Sequence, residues 1–209
     1  MAYRTVNPYN NQVVATFDDL TDAEAMNLLA QAQKTFESWS QMSYAERAAV
    51  CRRAAAILSE RPDEFARLLT LEMGKLYTES LGEVALSADI FNYYAENAEK
   101  FLAPERINTV SANDDAMLIS APLGVILGVQ PWNFPLYQLA RVAAPNLMAG
   151  NVVMVKHASN VPQAAAAFEQ LLAEAGAPEG AYTNLFATKD QKEGMSAFIE
   201  KRRPAFQNC

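Results

Sequence analysis

The sequence predicts an α/β fold, in which a helical amino-terminal segment leads into a short parallel sheet. Three observations carry this. Apolar residues recur at helical spacing through most of residues 21–101. From position 125 onward the pattern changes to strand, helix, strand, helix, strand, and such βαβαβ units build parallel sheets with right-handed crossovers. Of the 209 residues, 51% are hydrophobic and 20% charged, which suits a globular chain with a sizeable core.

The elements follow in order. The segment through Phe17 reads as strand, turn, strand: Asn7-Pro8 and Asn10-Asn11 are turn signals, and VVATF has strand composition. Thr21-Asp22-Ala23-Glu24 is a capping box, and behind it Ala25, Leu28, Leu29, Ala32, Phe36 and Trp39 fall at helical spacing. Ser43-Tyr44-Ala45-Glu46 is a second capping box, opening a helix that carries Ala49, Val50, Ala54, Ile57 and Leu58. Pro62 suits the first turn of a third helix, which ends near Gly74. A fourth helix is predicted over 78–101, stopped by Pro104. Residues 116–129 are β-rich; Pro122 and Gly124 bend the chain ahead of a strand over 125–129 that is expected to be buried. Residues 135–148 read as a helix with Pro145 an irregularity near its end. Gly150-Asn151 turns into a second apolar strand over 152–156. Asn160 and Pro162 start another helix, ending at Gly176, and 181–186 is a third strand. The chain thus divides into helices with flanking β segments over 1–124, a βαβαβ unit over 125–190, and a charged tail over 191–209.

Several classes are disfavoured. Acids outnumber bases, 24 to 17, giving a net charge of −7, and no basic face for nucleic acid is evident. No apolar run approaches the ~20 residues of a membrane span, and the first residues lack a signal-peptide layout. Cys51 and Cys209 make no disulfide framework, so a reducing cytoplasm is expected. One histidine and two cysteines make a zinc cluster an unfavoured reading.

In open parallel sheets, ligands bind beyond the carboxyl ends of the strands. Two unusual polar stretches fall there: Gln130-Pro131-Trp132-Asn133 and Lys156-His157-Ala158-Ser159. The Asn133 amide is an uncharged double donor, suited to a developing oxyanion; it equally suits a cap for the helix at Pro135. Lys156 suits a ribose hydroxyl or a phosphate, and equally a snorkelling surface lysine. Ser159 suits phosphate binding or helix capping. No Gly-x-Gly-x-x-Gly follows either strand, so the ordinary dinucleotide fingerprint is absent. Arg141 is the only charge between Asn133 and Lys156 and is expected in apolar surroundings. It suits bidentate grip of a carboxylate, or a plain helix-surface position. Cys51, among Val50, Ala54 and Ala55, reads as core.

Together these segments resemble the aldehyde dehydrogenase superfamily. The likeness rests on PLGVILGVQPWNFP, the helix to LMAGN, VVMVKHASNVP and EAGAPEGAYTNLF, with LEMGKLYTESLGEV similar to a Glu-x-Gly-Lys-Pro segment in which Leu76 replaces the proline. It spans about residues 5–190 and looks most like the succinate-semialdehyde enzymes. The resemblance implies a Rossmann-like sheet, here incomplete, and NADP or NAD as cofactor. It implies Asn133 as the side-chain half of an oxyanion hole. Gln130, Pro131, Trp132 and Asn133 would lie along the nicotinamide side, with Lys156, His157, Ala158 and Ser159 along the adenosine ribose. Serine rather than glutamate at Ser159 leans towards NADP. Arg141 would hold the carboxylate of a small semialdehyde acid, and full-length relatives would be homo-oligomers. The family's nucleophile in Gly-Gln-x-Cys, its Glu-Leu-Gly-Gly base and its Gly-Ser-x-x-x-Gly turn do not occur here, and Cys209 is out of register with the nucleophile. The chain alone is therefore expected to be inactive. A non-catalytic dinucleotide-binding or subunit-interaction module is the alternative.

Overall fold

The structure, a computed structural model, describes residues 3–110, 115–185 and 201. Strands β1 (Tyr3–Val6) and β2 (Val13–Phe17) form an antiparallel hairpin. Helices α1 (Asp22–Trp39) and α2 (Tyr44–Glu60) each begin in a complete capping box, Thr21 with Glu24 and Ser43 with Glu46. Helix α3 (Pro62–Met73) starts on its proline and stops at Gly74, whose φ of 69° is a left-handed value that glycine adopts without penalty. Helix α4 (Tyr77–Phe101) follows. Two short strands, β3 (Glu105–Ile107) and β4 (Ala116–Leu118), pair antiparallel. Strand β3 has no apolar alternation to reveal it, and all three of its residues are exposed.

The remaining elements are β5 (Val125–Val129), α5 (Pro135–Met148), β6 (Val152–Lys156), α6 (Pro162–Glu174) and β7 (Tyr182–Leu185). The strands form one parallel sheet in the order β5-β6-β7. Ile126, Gly128, Val153, Val155, Tyr182 and Asn184 share one face by register. That face carries α5 and α6: a Cβ at Gly128 would meet Val142, and Tyr182 packs on Phe168. Helix α1 packs across all three strands and covers the other face. Central β6 is buried on both sides, from Val152 to Val155.

Strand β5 departs from the expectation of burial, with Leu127 64% and Val129 68% exposed. It lies at an edge, and α1 covers its outer face only in part. Phe186, expected to end the third strand, and the tail over 191–209 lie outside the described residues, Lys201 excepted.

Helix α5, which connects the two candidate loops, is held at both ends. At its carboxyl end Trp39 Nε1 donates to Leu147 O at 3.1 Å and Arg47 Nε to Met148 O at 3.1 Å. Arg47 also donates to Met42 O and lies over the Tyr44 ring. A cation at a helix carboxyl end complements the macrodipole, and these donors occupy carbonyls that helix geometry leaves open. Pro145 lies inside the helix and removes one donor without ending it.

Candidate active site

The 130–134 loop leaves the carboxyl end of β5 beside the end of β6. Gln130 N–H donates to Lys156 O at 3.1 Å, so the pairing continues one residue beyond the strand. Trp132 and Phe134 are 53% and 43% exposed, and Asn133 is exposed between them. The amide of Asn133 makes no hydrogen bond within the described residues, so both donors are open. It does not cap α5. The cap position is Phe134, which has no side-chain oxygen to offer. The cap comes from α4: Glu83 Oε1 accepts from Leu136 N–H at 2.9 Å and Tyr137 N–H at 3.1 Å. Its other oxygen is ion-paired with Lys75, whose Nζ lies 3.8 Å from the centre of the Phe134 ring. The Glu83 side chain is wholly buried and that of Lys75 nearly so.

The second loop follows β6. Lys156 is half-buried, lies 5.9 Å from the Tyr3 ring centre, and has its ammonium pushed below the ordinary value by burial. His157 is 1% exposed. Its Nδ1 accepts from Ala158 N–H at 2.7 Å, which assigns the proton to Nε2, donated to Pro135 O at 3.1 Å. Burial, with help from the neighbouring Lys156 charge, takes its pKa down to about 4 against the bond to Pro135, so the ring is neutral. The imidazole therefore braces one loop against the other and is turned into the fold. Ser159 is exposed and does not cap α6, whose cap position is Val161. Here the cap comes from α3: Glu72 accepts from Gln163 and Ala164 N–H, both at 2.8 Å. Thr5 donates to the same carboxylate at 2.5 Å.

Arg141 is exposed on α5 rather than in apolar surroundings, because the buried face of that helix is taken by Leu136, Leu139, Ala140 and Ala143. It borders a shallow hollow of about 320 Å³ with Gln130, Gln138 and Asn146, and no carboxylate among the described residues pairs with it. Cys51 is buried and its thiol is pushed up to about 12 by desolvation, which makes it inert. Among the described residues no group of three or more His, Cys, Asp or Glu side chains is placed to hold a metal ion, and no helix is long and apolar enough to cross a membrane. A larger hollow, about 890 Å³, lies between Pro8, Tyr9 and the end of α3; it shares Lys75 with the site but not the strand ends.

Sequence reasoning missed Glu83, Lys75 and Glu72. A signal existed: helices starting Phe134-Pro135 and Val161-Pro162 have no polar residue at the cap, so acceptors must come from elsewhere.

An open parallel sheet with two polar loops at adjoining strand ends defines a partial α/β unit of Rossmann-like type. The sequence matches the aldehyde dehydrogenase family over residues 1–205, and the chain belongs to that family. The match runs past residue 190, where the resemblance read from motifs stopped. The chain is 52% identical to a succinate-semialdehyde dehydrogenase [NADP(+)] of Deinococcus radiodurans, over 88% of this chain and 38% of the relative. It is 41% identical to succinate-semialdehyde dehydrogenase [NADP(+)] 1 of Mycobacterium tuberculosis, over 93% of this chain and 43% of that one. It thus spans about two fifths of the length of the curated relatives it matches. The structure superposes with a TM-score of 0.87 on the succinic semialdehyde dehydrogenase of Streptococcus pyogenes in complex with NADP+, at 43% identity, covering 94% of this chain and 43% of that one. Gox0499 gives a TM-score of 0.89 at 44% identity, covering 93% of this chain and 42% of that one.

Proposed function

We propose that this chain carries half of the active site of an NADP-accepting succinate-semialdehyde dehydrogenase: the oxyanion donor, the ribose-phosphate loop and one carboxylate-binding arginine. The observation that carries the reading is the pairing of the two loops. Gln130 N–H to Lys156 O and His157 to Pro135 O set Asn133 and Lys156 on neighbouring strand ends, both with free donors. The similarity to relatives named succinate-semialdehyde dehydrogenase [NADP(+)], and to one solved in complex with NADP+, supports the cofactor and the aldehyde.

The donor set fits NADP. The loop Lys156-His157-Ala158-Ser159-Asn160 contains no carboxylate, so nothing in it opposes a 2′-phosphate. The Lys156 ammonium and the Ser159 hydroxyl would hold the ribose and its phosphate, and the Gln130–Asn133 stretch would lie along the nicotinamide end. Bound there, the cofactor supplies the hydride acceptor. The Asn133 amide donates to the carbonyl oxygen as negative charge grows on it, a role worth about 3 kcal/mol in comparable sites. Arg141 grips the carboxylate of the semialdehyde through its planar fork. The nucleophile is not among the described residues, since Cys51 is the one cysteine there and its thiol stays protonated. With only two cysteines and no disulfide framework, we place the protein in the cytoplasm.

Calorimetric titration of the purified chain with NADP and NAD tests the reading. Binding of NADP, weakened about tenfold by Lys156→Ala, is expected from losing one charge-assisted contact. Absence of binding by a folded chain, or equal binding by the variant, overturns it. The exposed edge of β5, with Leu127 and Val129, favours a second reading as a module that pairs along that strand with a full-length relative. Co-expression with such a relative and recovery of a mixed assembly tests that one.

A further inference from the structure

Helices α5 and α6 both begin on proline and both lack a side-chain cap of their own. Each takes its cap from a buried glutamate on an earlier helix, α5 from the one just before it and α6 from the one three before it. Glu83 receives the amides of Leu136 and Tyr137, and Glu72 those of Gln163 and Ala164. Both residues are 3% exposed. A carboxylate on a first helical turn satisfies orphan donors and complements the macrodipole, and burial strengthens both effects. We propose that Glu83 and Glu72 are positioning residues, one for each loop of the candidate site: Glu83 aims the 130–134 loop and Glu72 the 158–161 loop. The proposal rests on the reading of these loops as the substrate-facing and cofactor-facing parts of one site.

The path from carboxylate to loop is short in both cases. Lys75, paired with Glu83, lies over the Phe134 ring, and Phe134 is the neighbour of Asn133. Glu72 binds the second and third residues of α6, immediately after the turn that carries Ser159. It also takes the Thr5 hydroxyl, and Gln163 Nε2 donates to Thr5 at 2.9 Å, which fixes that turn to β1. The two glutamates sit on different helices, so loss of one leaves the other loop held.

The test compares Glu83→Gln, Glu72→Gln and Lys75→Met in the full chain. Glutamine keeps the shape and a neutral acceptor, so the caps are weakened rather than emptied. Backbone NMR shifts and amide exchange are read first, then NADP titration. In Glu83→Gln, exchange at Leu136 and Tyr137 is expected to rise about tenfold, with shift changes confined to 130–137. In Glu72→Gln the same change is expected at Gln163 and Ala164, with shifts confined to 158–164 and NADP affinity about tenfold weaker. Lys75→Met leaves the Glu83 carboxylate capping α5 but removes the cation from the Phe134 ring, so it should move chiefly the 132–134 signals. Residue 157 is left out of the comparison because it is bonded to Pro135. Shifts spread equally over both loops in each variant, or loop signals unmoved despite faster exchange, overturn the proposal. Loop-specific shifts in a chain that binds no NADP uphold the positioning and sink only the cofactor reading.

Discussion

Ser159 and His157 occupy the same short loop and differ in what they face. Ser159 is exposed and lies three residues after Lys156, so on the proposed cofactor reading a carboxylate at that position would stand against a 2′-phosphate. Ser159→Glu is expected to weaken NADP about tenfold while leaving NAD unchanged, from one added like charge at short range. Parallel titrations with the two cofactors check this. His157 points inward, and its pKa is about 4 in place of the ordinary 6.5. Between these values the unfolded chain binds a proton that the folded chain does not. Stability is therefore full above 6.5 and is lost as pH falls towards 4, by about 3 kcal/mol. Glu72 has the opposite sense, because burial raises its carboxyl and favours the protonated folded form. The difference between wild type and His157→Asn isolates the imidazole. Urea unfolding from pH 7 to pH 4 should show that difference shrinking steadily.

Helix α5 is the element on which the candidate site turns. Asn133 precedes it, Arg141 rides on it, and its ends carry a buried anion and a buried cation, Glu83 and Arg47. Replacing Arg47 by Met would leave Met148 O and Met42 O without their donors inside the fold. A loss of about 3 kcal/mol is expected, readable as a lower urea midpoint at unchanged slope. The spacing of apolar residues made this helix and its neighbours legible, from the capping boxes of α1 and α2 to Pro135 and Pro162. It did not reveal the caps of α5 and α6, because their glutamates are distant in sequence. Positions 72 and 83 lie within apolar helical stretches, where a charge has no local explanation. Strand β3 was invisible for a simpler reason: three exposed residues leave no alternating pattern.

At the scale of the molecule, the helical segment and the sheet act as one body. The amino-terminal helices supply both glutamates, Arg47 and Trp39, while the strands supply the loops. The three-stranded sheet brings Asn133 and the 156–159 loop, the proposed oxyanion donor and ribose-phosphate loop, side by side, and no positioned thiolate lies among the described residues. The purified chain given succinate semialdehyde and NADP is therefore expected to produce no NADPH, as followed by absorbance. Turnover at a rate measurable above the blank would contradict this.

The sequence by itself determined the order of helices and strands apart from β3, the parallel sheet and the family. Those follow from local periodicity, turn chemistry and contiguous motifs, which a chain carries along its length. It left Asn133 and Ser159 each open between capping a helix and serving a site. Only the tertiary structure removed the capping reading, by showing that both caps are provided by glutamates from other helices. It also placed Arg141 in solvent, His157 inside and β5 at an exposed edge. The physical reason is that burial and hydrogen-bond partnership belong to pairs of residues far apart in the chain, and packing alone brings such pairs together.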